Sequence, residues 1–300
     1  MMRVFIDGAA GTTGLEIESR LSDRPEFDRI TLPENLRKSV EARRAALNAA
    51  DVVVLCLPDD AAREAVALIA NQDTRVIDAS TAHRTNPAWT FGLPELVGVD
   101  AVAGAKRVSN PGCYSTGFIA LVAPLVRAGL VPVNARLSCY AVSGYSGGGK
   151  AMIAEFESAT AATAWRTYAL GLAHKHVPEM QRHTGLTYPP LFAPSVTATH
   201  RGMIVDVPLF GVDAAQAWTA LSDFYAGAKL VRVREYEEAN LAIEHMAGRD
   251  AMELFVFGNA DSSQCRLVAA LDNLGKGASG AAVQSLNLMA GLPEETGLRL

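Results

Sequence analysis

The sequence predicts an α/β protein of two domains, and three observations carry that reading. Short β-branched runs alternate with helical patterns over the first hundred residues. A glycine loop follows the first of those runs. Beyond about residue 135 the strand-like pieces lie farther apart, with longer helices and loops between them. A length of 300 residues suits two domains of roughly 150 each.

Each element can be read in order. Arg3-Val4-Phe5-Ile6-Asp7 is strand-like and leads into Gly8-Ala9-Ala10-Gly11-Thr12-Thr13-Gly14. A helix follows, with Gly14, Ile17 and Leu21 on one face. Ile30-Thr31-Leu32 reads as the second strand, and Val52 to Leu57 as an apolar run buried on both faces. Asp60 to Ala70 is helical, and Val76-Ile77-Asp78 is another strand. Such alternation implies a parallel sheet with right-handed crossovers. Later strands are expected at Leu137–Val142, Met203–Leu209, Leu254–Val256 and Arg266–Leu271, in an α+β domain with a mainly antiparallel sheet. A last helix, Ser279 to Met289, is expected to pack back on the first domain.

Composition excludes several classes. Hydrophobic residues at 49% and charged residues at 20% describe an ordinary soluble globular chain. A formal net charge of −5, with scattered Lys and Arg, speaks against nucleic acid as a partner. The longest apolar stretch, Phe118 to Val133, is interrupted by Pro124, Arg127, Gly129 and Pro132, so no membrane span is expected. The N-terminal residues lack a signal-peptide pattern, and the expected location is the cytoplasm.

Gly8, Gly11 and Gly14 stand between the first strand and the first helix, the place of a Rossmann phosphate turn. Glycines there permit a tight turn and let a pyrophosphate approach the helix N-terminus. The spacing is GxxGxxG, not GxGxxG. After the second strand, Arg37 and Lys38 suit a 2′-phosphate, whereas Glu34 suits an NAD ribose.

The four cysteines show no CxxC spacing, so neither a zinc knuckle nor a disulfide framework is expected, and no metal site. Cys56, Cys139 and Cys265 sit in strand-like runs and read as core residues. Cys113 differs. It follows Ser109-Asn110-Pro111-Gly112 and opens a helix whose apolar face is Phe118, Leu121, Val122, Leu125 and Val126, with Pro124 expected to kink it. A helix N-terminus favours the thiolate, so Cys113 is the candidate nucleophile. With a dinucleotide loop, this implies attack on an activated acyl group and reduction of the thioester to an aldehyde.

His174-Lys175-His176 packs two imidazoles into three residues ahead of Val177-Pro178-Glu179, and either ring suits acid/base work. Ser80 and Arg84, in Asp78-Ala79-Ser80-Thr81-Ala82-His83-Arg84, suit a phosphate, with an Asx or ST turn as the alternative. Ser143, Gly144, Ser146 and Lys150 belong to a glycine-rich loop that fails the P-loop pattern, since Ala151 follows the lysine. Asn273, Lys276 and Gly277 lie in a turn that opens the last helix.

The stretches FIDGAAGTTGLEI, CLPDDAAREAV, VIDASTAHR, SNPGCYSTG, AVSGYSGGGK, LGLAHKHVPEM and DNLGKGASGAAVQSLNLMAG run through nearly the whole chain. In them the sequence resembles the N-acetyl-γ-glutamyl-phosphate reductases of the shorter bacterial form. NPGCY and HKHVPEM are the most specific. The resemblance implies NADPH-dependent reductive dephosphorylation of N-acetyl-glutamyl 5-phosphate to the semialdehyde, in arginine biosynthesis. It implies Cys113 as nucleophile, with His174 or His176 as acid/base. Gly11, Thr12, Thr13 and Gly14 are implied to hold the pyrophosphate. Arg37, Lys38, Ser80 and the Asn273–Lys276–Gly277 turn fall to the rest of NADP(H). Arg84, Asn110 and the 143–150 loop fall to the acyl phosphate. The implied domains are 1–112 with 279–300, for the dinucleotide, and 113–278, for catalysis and assembly into a homo-oligomer, a dimer or tetramer. Rival readings are a reductase of a related acyl phosphate, such as the aminoadipyl one, and a non-catalytic dinucleotide sensor.

Overall fold

A computed structural model describes residues 1–158 and 163–300. Its elements are, in chain order, β1 (Met2–Asp7), α1 (Thr12–Leu21), β2 (Phe27–Ile30), α2 (Val40–Ala49), β3 (Val52–Leu55), α3 (Asp59–Ala67), β4 (Arg75–Asp78), β5 (Thr90–Phe91), α4 (Pro94–Val97), α5 (Val99–Ala103) and β6 (Arg107–Ser109). There follow α6 (Cys113–Arg127), β7 (Ser138–Gly144), α7 (Gly149–Phe156), β8 (Trp165–Thr167), α8 (Val177–Thr184), β9 (Leu191–Thr197), β10 (Met203–Phe210), α9 (Ala214–Phe224), β11 (Val231–Val233), β12 (Met252–Gly258), β13 (Gln264–Leu271) and α10 (Gly280–Met289). They form two compact units, Met1–Pro111 with Ala278–Leu298, and Gly112–Gly277 with Arg299–Leu300.

The first unit is a parallel sheet in the order β2-β1-β3-β4-β6-β5. Its strands are apolar on both faces because helices cover both. Val4, Ile6, Val52, Val54 and Ile77 turn to one side, where α1 and α10 pack. Phe5, Val53, Leu55 and Val76 turn to the other, against Ala46 and Leu47 of α2 and Ala62 and Ala65 of α3. Helix α10 supplies Ala282, Val283, Leu286 and Met289 to the first side. Polar bonds tie it down: Arg24 Nη2 donates to Asn287 Oδ1 at 3.0 Å and Arg75 Nη1 to the Met289 carbonyl at 2.7 Å.

The second unit holds a sheet in the order β11-β12-β13-β10-β7-β9-β8. Four of its six pairings are antiparallel; β11–β12 and β7–β9 are parallel. The mixed, mainly antiparallel sheet matches the expectation. Helix α6 packs on β10 and β13 and against α8 and α9. The approach to β10 is close at Gly117, where a Cβ would stand 2.8 Å from Val205 Cγ2.

Several sequence expectations shift. The second strand is Phe27–Ile30, not Ile30–Leu32, because Met2–Phe5 of β1 pair with Phe27–Ile30 and Pro33 then opens a short 3-10 turn. Strand β3 stops at Leu55, short of Leu57, with Pro58 next in line to start α3. The predicted helix Asp60–Ala70 is found at Asp59–Ala67. Helix α6 has no solvent face to oppose its apolar one: every residue from Tyr114 to Leu125 is buried, and the helix runs through Pro124 to Arg127.

Such a helix makes large-to-small changes costly. Phe118 is fully buried, and Phe118→Ala should cost about 3–5 kcal/mol. The expected result is a lower urea midpoint for the second unit, read from an intrinsic fluorescence transition.

Candidate active site

The first unit supplies a phosphate turn in which the three glycines do different work. Gly8 has φ +90°, and a Cβ there would lie 2.3 Å from the Cys56 carbonyl oxygen. At Gly14 a Cβ would lie 2.6 Å from the Gly8 carbonyl oxygen. Both glycines are needed to make the turn at all. Gly11 is not: an added Cβ there meets nothing closer than 3.4 Å. Gly11 is also the N-cap of α1, with no side chain capping the helix, so the N–H groups of Thr12, Thr13 and Gly14 have no partner within it. An uncapped helix start at a residue with no side chain of its own fits a dinucleotide pyrophosphate. Arg37 and Lys38 lie exposed just after β2. Arg43, by contrast, is committed to Asp7, at 2.9 Å from Nη2 to Oδ2.

At the carboxyl ends of β4 and β6 lies a buried polar knot. Asp78 accepts from the Ser80 hydroxyl at 2.7 Å and from the Ser80 N–H at 2.9 Å, and His83 Nδ1 sits 2.6 Å from its Oδ2. The His83 ring stacks on Trp89 at 4.1 Å. Arg84 is buried and donates to the carbonyls of Asn110, at 3.0 Å, and Ala79, at 3.2 Å. Asn110 is buried with its Oδ1 unmet, an arrangement that costs of order 1–3 kcal/mol.

In the second unit, Cys113 is the first residue of α6, with Gly112 as N-cap. Two contacts hold this start in place. Gly112 N–H donates to the buried carboxylate of Glu179 on α8, at 3.2 Å. Gly277 lies so close that a Cβ on it would stand 2.8 Å from Cys113 Cβ and 3.0 Å from the Asp272 carbonyl oxygen. Cys113 itself is only half-buried.

Its chain neighbour Tyr114 belongs to a ring cluster. Tyr114 stands 6.1 Å from His174 and 5.9 Å from His176, the two imidazoles are 4.7 Å apart, and Phe192 and Tyr168 lie 5.1 Å and 5.8 Å from His174. His176 N–H donates to His174 Nδ1 at 3.1 Å, which puts the neutral ring's proton on Nε2. Tyr168 donates to Tyr114 at 3.1 Å, and Tyr114 to the Ser195 carbonyl at 2.9 Å. Burial pushes Tyr168 up to about 12 and Tyr114 well up too, and the charge of Cys113 adds to both, so both phenols stay protonated at neutral pH.

The other sequence-selected residues of this unit fall into a supporting network. Ser143 and Ser146 are buried, a Cβ on Gly144 would stand 2.7 Å from the His200–Arg201 backbone, and Lys150 is exposed on α7. Asn273 spends its amide inside, giving Nδ2 to Ser146 Oγ and taking Gly202 N–H on Oδ1, each at 2.9 Å. Asp272 accepts from Arg201 Nε at 2.6 Å, Leu274 N–H at 2.8 Å and Gly248 N–H. Lys276 is fully buried. Sequence reasoning missed Glu179, although it lies within the HKHVPEM motif, and Tyr114, although it follows the cysteine. For Tyr168 and Phe192 no local signal existed.

The remaining cysteines are inert by environment. Burial pushes the Cys56 thiol up to about 12, helped by Asp78, Asp7 and Glu18. It pushes Cys265 up to about 11, and Cys139 higher still. All three stay protonated at pH 7. Among the described residues no group of three or more His, Cys, Asp or Glu can hold a metal, and no helix is long and apolar enough to cross a membrane.

A glycine turn on a parallel sheet in one unit, and in the other a cysteine that opens a helix, with Tyr114 next to it packed on two imidazoles, suit a dehydrogenase of the acyl-reducing kind. Residues 3–103 match the semialdehyde dehydrogenase NAD binding domain and residues 113–273 the semialdehyde dehydrogenase dimerisation domain. The chain belongs to the semialdehyde dehydrogenase family, in the group of the N-acetyl-gamma-glutamyl-phosphate reductases. It is 50% identical to N-acetyl-gamma-glutamyl-phosphate reductase 2 of Pseudomonas putida, over 96% of each chain. It is 49% identical to the reductase of Brucella anthropi, over 96% of this chain and 98% of that one. Reductase 2 of Nostoc sp. is 44% identical over 99% of both. In fold it is similar to aspartate semialdehyde dehydrogenase II of Vibrio cholerae, with a TM-score of 0.74, 17% identity and coverage of 97% and 99%.

Two expectations follow from this geometry. Gly11→Ala should leave the melting temperature nearly unchanged and weaken dinucleotide binding at least ~10-fold, whereas Gly8→Ala should destabilise the unit by about 2 kcal/mol or more. Calorimetry and a binding titration separate the two. Brief iodoacetamide treatment of the native chain near pH 7 should label Cys113 and spare Cys56, Cys139 and Cys265, as read by peptide mass mapping. Equal labelling of any of those three would contradict the assignment.

Proposed function

We propose that this chain reduces N-acetyl-glutamyl 5-phosphate with NADPH to N-acetyl-glutamate 5-semialdehyde and phosphate, a step of arginine biosynthesis in the cytoplasm. The observation that carries this is Cys113 at the first position of α6, against Gly277, with the imidazole pair packed on its neighbour Tyr114. It stands in a chain 44% and 50% identical to proteins named as that reductase. Arg37 and Lys38, exposed after β2, support NADP(H) over NAD(H). The matched dimerisation domain supports a homo-oligomer, a dimer or tetramer.

The first-turn N–H groups of α6 favour the Cys113 thiolate. His174 offers only its Nε2–H while Nδ1 is held, so it serves as a donor to a substrate oxygen. That leaves His176 to take the thiol proton and pass it to the departing phosphate. Sγ bonds to the acyl carbon, the carbon–oxygen bond to phosphate breaks, and a thioester remains on Cys113. The α6 N–H groups steady the negative oxygen of the tetrahedral adduct. The Gly11 turn would hold the dinucleotide, which would supply the hydride for reduction of the thioester. The carbon–sulfur bond then breaks, freeing the aldehyde and returning the thiolate, which regains a proton from solvent through His176.

Assayed in reverse, the chain should oxidise N-acetyl-glutamate semialdehyde with NADP⁺ only when phosphate is present. Cys113→Ser should lower kcat ~10³-fold or more and leave dinucleotide affinity within about twofold. His174→Asn and His176→Asn should each cost ~10²-fold or more, and only the latter should change the pH dependence of Cys113 alkylation. Substantial turnover by Cys113→Ser would overturn the reading.

A further inference from the structure

Asn110 follows β6 at the carboxyl edge of the parallel sheet, the edge at which doubly wound sheets bind their ligands. Three of its four polar groups are spent within the first unit. Its N–H donates to the Asp78 carbonyl at 2.8 Å, its carbonyl accepts from Arg84 Nε at 3.0 Å, and its Nδ2 donates to the Ala278 carbonyl at 3.0 Å. The last bond decides which way the carboxamide faces, with nitrogen on Ala278 and oxygen left over. That oxygen, Oδ1, is buried, and no described residue donates to it.

We propose that Asn110 Oδ1 accepts the carboxamide N–H of the bound nicotinamide. This rests on the reductase reading for the cofactor and adds the residue that reads its ring substituent. The left-over atom is an acceptor, and a carbonyl oxygen offers a phosphate anion no donor, so it selects a ligand that carries an N–H. The nicotinamide brings one to this edge. The Gly8–Gly14 turn receives the pyrophosphate at the end of β1, and the strand order from β1 through β3 and β4 leads along the same edge to β6. Asn110 also precedes the nucleophile by only three residues, where hydride must be delivered. The oxygen is enclosed in this structure, so the N–H reaches it by a small shift of its cover.

The test is a cycle of two dinucleotides and three proteins, read by isothermal titration. NADP⁺ is compared with acetylpyridine adenine dinucleotide phosphate, in which a methyl ketone replaces the carboxamide and removes the N–H. The wild-type chain should bind the analogue roughly three- to tenfold more weakly, as the loss of one neutral hydrogen bond requires. In Asn110→Ala and in the milder Asn110→Ser the two dinucleotides should bind within about twofold of each other. Thermal melts establish that each variant is folded, and Asn110→Ser carries the comparison if Asn110→Ala does not fold. A gap that persists in the variants, or equal binding by the wild-type chain, would overturn the assignment while leaving the reductase reading in place. A wild-type chain that binds neither dinucleotide would overturn both.

Discussion

The chemistry of the second unit depends on one constraint, the fixed position of the N-terminus of α6. The helix cannot move because it is buried on every side from Tyr114 to Leu125 and pressed onto β10 at Gly117. Its first turn is then pinned from outside by the Glu179 carboxylate on Gly112 N–H and by Gly277 against Cys113. For the nucleophile proposed above, a position held this way means little reorganisation on meeting an acyl carbon, which is what positioned catalysis requires.

The supporting polar groups serve the same end. Asp272 and Asn273, both buried, bind backbone N–H groups at 202, 248 and 274 and so set the path on which Gly277 reaches Cys113. Fully paired networks of this kind stiffen a site, because a buried polar group that loses its partner is costly. Tyr168, Tyr114 and the Ser195 carbonyl form a second chain of bonds beside the imidazoles. Both phenols are kept protonated by burial, so their direction of donation is stable at neutral pH.

In the first unit the three glycines differ in how tightly the turn constrains them. Gly8 and Gly14 are demanded by backbone contacts inside the turn, while Gly11 has room and an uncapped helix start beside it. A GxxGxxG spacing therefore serves the same physical purpose as the commoner GxGxxG spacing, since what matters is an unobstructed row of N–H groups.

The sequence by itself determined the parallel sheet, the glycine turn between β1 and α1, and a cysteine at the start of a helix. These are local: strand period, glycine positions and a cysteine ahead of a helical pattern are legible without knowing what they touch. The mainly antiparallel second sheet was legible too, from the spacing of its strands. The tertiary structure alone decided the rest. Strand β2 took its register from β1, and α6 was buried all round because a sheet and two helices surround it. Glu179 reaches Gly112, and Tyr168 and Phe192 reach Tyr114, across more than 50 residues of chain, a separation that no local pattern encodes. Asn273 and Lys276 are buried, and the Asn273 amide bonds to Ser146 and Gly202, partners that lie far off in the sequence. Whether a polar side chain faces a ligand or another part of the chain is set by long-range packing, and that is the information a single sequence does not carry.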